Sequence, residues 1–341
     1  MPSPGVTLHN VAAFINHPQD RRDVFSRLPV AVRAAVNAGC QEKCLQAAGV
    51  EIRCNVEGSG GGVRVFVAGG QAVRAELYLG DFLAWPMVIG PGEHDIPLAG
   101  RMGWPWLKAQ DAEGTPVGLL REVAGRRFDP GLLRILFPFR ATVGPVRTRG
   151  EVFPARAEQL PARTLLCYGS SITQGMESLT AAGGYAPRLA RLLGMDLINL
   201  GFGGSAHLEP EIADHIARRG DWHAAVLELG INLVGSLEPE VFAGRARAFV
   251  AAVAAAGRPV FCLDLFRYFD DFPGGDAGRA RAYRQAVAEV AAAAGPRVRH
   301  IPVGGLPGPE GLCADMLHPS PEGMETMARA LAEQLRPGVG P

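Results

Sequence analysis

Tyr168-Gly-Ser-Ser-Ile-Thr-Gln-Gly175 follows directly on the apolar run Thr164 to Cys167, and three further polar signatures lie at matching places behind later apolar runs. They are Asn199-Leu-Gly-Phe-Gly-Gly204, Glu228-Leu-Gly-Ile-Asn232 and Asp315-Met-Leu-His318. Short apolar runs broken by glycine and polar residues read as buried strands ending in turns. The runs are Thr164 to Cys167, Met195 to Leu200, Ala224 to Leu229, Pro259 to Leu265 and Val298 to Val303. Between and after them lie helical patterns at Tyr185 to Leu193, Glu209 to Arg218, Pro239 to Ala256, Arg279 to Ala294 and Pro321 to Leu335. Such alternation predicts an α/β domain, a doubly wound, flavodoxin-like parallel sheet of five strands covered on both faces. Ligands of open sheets bind beyond the carboxyl ends of the strands. Ser171, Gly204 and Asn232 fall just past the first three strands, and Asp315 and His318 follow the fifth, so all five project from one sheet edge.

The residue types fit one another chemically. A serine hydroxyl needs a base within hydrogen-bond reach to become a nucleophile, and His318 can serve because histidine titrates near neutrality. Asp315 can hold the other ring nitrogen and stabilise the imidazolium. The backbone N–H groups of Ser171 and Gly204, with the side-chain amide of Asn232, can form an oxyanion hole. Each feature also has a plainer reading. An Asp-x-x-His tetrapeptide can be a helix cap beside a surface histidine, Gly201, Gly203 and Gly204 a tight turn, and Asn232 a turn cap. Their order along the chain favours the chemical reading.

These four blocks resemble those of the SGNH or GDSL-type hydrolases, over roughly residues 163 to 335. The resemblance implies Ser171 as nucleophile, Gly204 and Asn232 as oxyanion donors, and Asp315 with His318 completing the triad. The family usually reads Gly-Asp-Ser at the nucleophile, and Ser170 stands in place of that aspartate. A β-sandwich ahead of such a domain is similar to certain carbohydrate deacetylases and to a few GDSL-type acyltransferases. The implied activity is hydrolysis of a small-molecule acyl ester, such as an acylated sugar or natural product, through an acyl-enzyme without metal or organic cofactor. An acyltransferase using an alcohol acceptor is the nearest alternative, and a non-catalytic binding protein a distant one. The dinucleotide fingerprint, the phosphate loop and the Gly-x-Ser-x-Gly elbow are absent.

The first half has another texture. Val50–Val56, Val63–Val67, Val73–Leu79 and Leu132–Phe137 read as strands without intervening helices, which suggests an N-terminal β-sandwich over residues 1–155. Pro29 to Asn37 and Gln41 to Ala48 read as short leading helices of that domain. The Pro-containing stretch Val146 to Ala162 reads as the junction, with the catalytic domain over 160–341. Trp85, Trp104 and Trp106 fit core packing better than sugar stacking. His207 is a candidate for the pocket wall, or else a surface residue at a helix start, and His300 reads as structural.

The 341 residues balance 34 basic against 34 acidic side chains, so nothing points to nucleic acid. No apolar run is long enough for a membrane span, and the first residues lack a signal-peptide pattern, which makes a cytoplasmic enzyme the expectation. The six cysteines lack paired zinc spacing and are expected to be reduced.

Overall fold

The computed structural model describes residues 5–57, 61–98, 116–123 and 127–340. Residues 1–28 with 45–162 form one compact unit, and residues 29–44 with 163–341 form the other. The chain begins with β1 (Thr7–His9), β2 (Ala13–Asn16) and β3 (Asp23–Ser26). It then makes an excursion through helices α1 (Val30–Ala35) and α2 (Ala38–Lys43). It returns as β4 (Glu51–Val56), β5 (Gly62–Val67), β6 (Val73–Leu79), β7 (Phe82–Ile89) and β8 (Gly92–Pro97). A helix, α3 (Pro116–Val123), precedes β9 (Leu133–Leu136), β10 (Val143–Arg149) and β11 (Val152–Pro154).

The first unit is an antiparallel sandwich. One sheet runs β1-β4-β9-β6-β7, with β11 also paired to β4, and the other runs β10-β5-β8. Ile52, Cys54, Leu77 and Ile135 from the larger sheet share a core with Val63, Val65, Ile96 and Val143 from the smaller one. Their alternation along each strand is the period-2 pattern of a half-buried sheet. Seven strands escape the sequence reading, the short β1, β2 and β3 and then β7, β8, β10 and β11. β7 carries Pro86 in mid-strand and turns apolar side chains, Leu83, Trp85 and Val88, to its exposed face. β8 carries Glu93, His94 and Asp95. β10 contains Pro145 at a register shift between Gly144 and Arg147, and with β11 it occupies the stretch read as the junction. Trp85 is 40% exposed rather than in the core. Trp104 and Trp106 lie outside the described residues.

Glu51 and Arg53 of β4 and Arg134 of β9 are buried at the strand positions that alternate with this core. Arg53 Nε and Arg134 Nε each donate to Glu51 Oε2 at 2.8 Å, and the Arg134 guanidinium lies 3.7 Å from the centre of the Phe128 ring. Burial opposes the charge on Glu51, yet the two guanidinium groups outweigh it and bring the carboxyl down to about 2.

In the second unit the elements alternate. They are β12 (Thr164–Gly169), α4 (Ser171–Gln174), α5 (Tyr185–Leu192), β13 (Asp196–Gly201), α6 (Pro210–Arg218), β14 (Ala224–Glu228), α7 (Pro239–Ala254), β15 (Val260–Leu263), α8 (Ala277–Ala293), β16 (Val298–Ile301) and α9 (Pro321–Val339). All five strands are parallel, in the order β13-β12-β14-β15-β16. The unit is therefore the doubly wound α/β fold read from the alternation. Leu189 of α5 and Met324 and Leu331 of α9 pack with Leu165, Cys167 and Val226, while Tyr168 meets Phe249 of α7, their rings 4.7 Å apart. Each such fully buried apolar side chain stabilises the unit by roughly 1.5–3 kcal/mol. Strand order reverses at β12, so the crevice for a ligand opens beyond its carboxyl end.

Residues 29–44 group with this second unit, although the sequence reading attaches their two helices to the sandwich. The helices are also shorter than read, since Leu45 to Ala48 lie beyond α2. Among the described residues no helix is long and apolar enough to cross a membrane.

Glu51→Ala leaves two buried guanidinium groups without their carboxylate and is expected to cost about 3–5 kcal/mol, measurable by urea denaturation of the whole chain at pH 7. Because Glu51 is lowered in the folded state, its contribution is present above the unfolded carboxylate pKa and is lost as pH falls towards about 2. The gap between wild type and variant should therefore narrow in acid, and a constant gap from pH 7 to pH 3 would contradict this account.

Candidate active site

Ser171 opens α4, immediately beyond the end of β12. Ser170 is the N-cap, its hydroxyl accepting from Ile172 N at 3.1 Å, and Gly175 closes the turn with φ at 102°. The short helix is pressed against its neighbours. A Cβ on Gly201 would lie 2.3 Å from Gln174 N, and one on Gly169 would lie 2.3 Å from Thr173 Oγ1. Both are under the closest approach carbon tolerates, so glycine at each is a requirement of packing. Asn199 Nδ2 donates to Thr173 O at 2.9 Å and ties the second block to the first.

Ser171 Oγ lies 2.8 Å from His318 Nε2, across 147 positions of sequence. His318 Nδ1 lies 2.6 Å from Asp315 Oδ2, while Asp315 Oδ1 accepts from the backbone N–H groups of Leu317 and His318 at 3.0 Å each. A ring nitrogen facing a carboxylate carries the proton, which leaves Nε2 with its lone pair towards the serine hydroxyl. Partial burial works against the Asp315 charge, but hydrogen bonds from the His318 ring and from two backbone N–H groups outweigh it and hold this carboxyl below its usual range. The loop is fixed at its base, where Cys313 N donates to His318 O at 2.8 Å, and Ser320 then caps α9.

The second block forms the turn after β13. Gly203 N donates to Gln174 Oε1 at 2.7 Å, and a Cβ there would meet that oxygen at 2.9 Å and Ser171 Cβ at 3.2 Å. Gly204 follows with φ at 68°, a left-handed conformation that glycine adopts without strain. Asn232 Oδ1 accepts from Ala206 N at 3.1 Å, so its amide is oriented by the turn that contains Gly204. His207 is half-buried in the same turn and shares none of the hydrogen bonds linking Ser171, His318 and Asp315. His300 pairs with the buried Asp264 at 2.8 Å.

Two groups near the site escape the sequence reading. Glu228, 4% exposed at the end of β14, accepts hydrogen bonds from Ser170 and Thr173. Its only sequence signal is a carboxylate at the end of an otherwise apolar strand. Asn37, the N-cap of α2, donates to Ser205 O at 3.0 Å and to Glu209 Oε1. Gly39 approaches the same serine so closely that a Cβ would lie 2.2 Å from its hydroxyl. The excursion at residues 29–44 thus braces the turn after β13. Nothing local to Asn37 signals this, because its partners lie 168 and 172 positions away.

A serine, a histidine and an aspartate are thus joined in sequence at the carboxyl edge of a parallel sheet, the arrangement that acyl transfer through a serine ester requires. Residues 167–326 match the GDSL-like Lipase/Acylhydrolase family. The second unit is accordingly a GDSL-like domain, and the protein is an enzyme acting on ester bonds. Among solved structures, the salicylyl-acyltransferase SsfX3 from a tetracycline biosynthetic pathway is similar with a TM-score of 0.76 and 17% identity, covering 99% of this chain and 97% of that one. A putative GDSL-like lipase from Bacteroides ovatus gives a TM-score of 0.65 at 17% identity, over 97% of both chains. A family two carbohydrate esterase from Cellvibrio japonicus gives 0.64 at 14% identity, over 99% of this chain and 96% of that one. At these identities the likeness is one of fold. No curated protein matches the chain.

Asn37→Ala removes both the cap of α2 and the tie to Ser205, and is expected to cost about 1 kcal/mol or somewhat more. Chemical denaturation followed by far-UV dichroism measures it, and a midpoint equal to that of the wild type would show that the brace carries no load.

Proposed function

We propose that the protein is a serine esterase working through an acyl-enzyme on Ser171. The observation that carries this reading is the continuous line of hydrogen bonds from Asp315 through His318 to the Ser171 hydroxyl. Ser171 Oγ attacks the ester carbonyl carbon while His318 Nε2 takes its proton, and Asp315 stabilises the imidazolium. Negative charge develops on the carbonyl oxygen, where the N–H groups of Ser171 and Gly204 and the Asn232 amide act as donors. Collapse breaks the bond to the alcohol, which leaves with the proton from Nε2. Water activated by the same nitrogen then attacks the acyl-enzyme and restores the serine. His207 is assigned to the wall of the acyl or alcohol pocket, on the strength of its place in the Gly204 turn.

No step of this sequence requires a metal or an organic cofactor. The substrate class is a small acyl ester, on a sugar or a natural product. A second reading replaces water with an alcohol acceptor in the final step, and the fold shared over 99% of the chain with an acyltransferase supports it. The two differ only in which hydroxyl reaches the acyl-enzyme. The six cysteines form no disulfide and five of them are buried, which fits a reducing compartment and hence a cytoplasmic enzyme.

Ser171→Ala and His318→Ala should each abolish turnover of p-nitrophenyl acetate, and Asn232→Ala should lower kcat by about two to three orders of magnitude. Wild-type rates in the serine variant would rule the mechanism out. Incubating the acyl donor with and without sugar or alcohol acceptors, with mass spectrometry of the products, separates esterase from transferase by whether transfer outpaces hydrolysis.

A further inference from the structure

Glu228 stands at the end of β14, which pairs directly with β12, and it is almost wholly removed from solvent. A buried carboxylate is costly unless its oxygens are satisfied. No lysine or arginine pairs with it among the described residues. Its hydrogen bonds come instead from the turn that carries the nucleophile. Ser170 N donates to Oε2 at 2.9 Å, Ser170 Oγ to Oε1 at 2.6 Å, and Thr173 Oγ1 to Oε2 at 2.6 Å. The Tyr185 hydroxyl lies 2.6 Å from Thr173 Oγ1 and is placed to donate to it, so the chain of donors continues one residue outward. Ser170 Oγ already accepts from Ile172 N, which leaves its own proton for Glu228. Gly169 makes this approach possible, because a Cβ there would lie 2.4 Å from Glu228 Oε2.

We propose that Glu228 is a positioning residue for Ser171, supplying from the neighbouring strand the carboxylate that the position before the nucleophile lacks. It touches no reacting atom. It clamps residues 170 and 173 on either side of Ser171, and so fixes the backbone N–H that faces the oxyanion and the direction of the serine hydroxyl. Burial, the largest influence on Glu228, pushes its carboxyl above the usual range against the pull of these hydrogen bonds. The pair also explains why a serine is tolerated at 170. With Glu228 present, the small hydroxyl is a donor of the right length, whereas a second carboxylate would meet the first at hydrogen-bond distance in a buried site.

This inference rests on Ser171 being the nucleophile, and the test separates the two claims. Labelling of the wild-type protein by a fluorophosphonate, with the adduct located on Ser171, checks the nucleophile alone. Steady-state kinetics with p-nitrophenyl acetate then check the clamp. Glu228→Gln and Ser170→Asp should each lower kcat by about ten- to a hundredfold while changing KM by less than about threefold. The double variant Ser170→Asp/Glu228→Gln, which again places one carboxylate and one neutral partner across the gap, should recover at least about tenfold over Ser170→Asp alone. Should Glu228→Gln fail to fold, Ser170→Ala removes one donor with little change in volume and should still lower kcat by about five- to twentyfold. Independent multiplication of the two single losses in the double variant, or wild-type kcat in Glu228→Gln or Ser170→Ala, would overturn the proposal while leaving the labelled serine in place.

Discussion

The turn carrying Ser171 is wedged between two neighbouring strands with no space for a side chain at Gly169 or Gly201. Everything else at the site follows from that wedge. Because β12 is the inner strand at which the sheet order reverses, the turn has β13 on one flank and β14 on the other, and each flank contributes a polar group. Asn199 holds the turn from one side and Glu228 from the other. Ser171 is therefore held from both flanks, and it is the distant loop with His318 that must be built to meet it. That loop is short and closed on itself by the bond from Cys313 N to His318 O, with Met316 in a left-handed conformation at its bend.

Two carboxylates serve the site in opposite environments. Asp315 is 47% exposed in its side chain, accepts from two backbone N–H groups and a ring, and is held below its usual range. Glu228 is enclosed, meets only neutral donors, and is raised by burial. The first faces the His318 ring from an open loop. The second is bound into the framework, where its oxygens accept from the hydroxyls of Ser170 and Thr173 and from the Ser170 N–H.

Much of this was legible in the chain before folding. The apolar runs ending in Cys167, Leu200 and Leu229 announce strands that stop at turns, and the polar residues beyond them could be gathered at one edge by topology alone. Ser171, His318 and Asp315 were readable for that reason. Glu228 was not, because a single glutamate closing a strand looks like any polar end, and its meaning depends on which strand lies alongside. The helices at residues 29–44 were assigned to the wrong partner because sequence adjacency favours the sandwich strands that flank them, whereas Asn37 and Gly39 are complementary to Ser205. β7, β8 and β10 went unread because proline, charged residues and exposed apolar side chains mask the alternation that burial on one face normally imposes.

The path of the chain through residues 29–44 bears on how such a protein can be taken apart or recombined. A single cut at the end of the sandwich, after Ala162, would strand two helices with the wrong fragment and leave the turn around Ser205 unbraced. The two units are interleaved in sequence though each is compact in space. Exchange of one for another therefore requires three junctions, after residues 28, 44 and 162, and the unit bearing Ser171 is inherited as two separate stretches of gene.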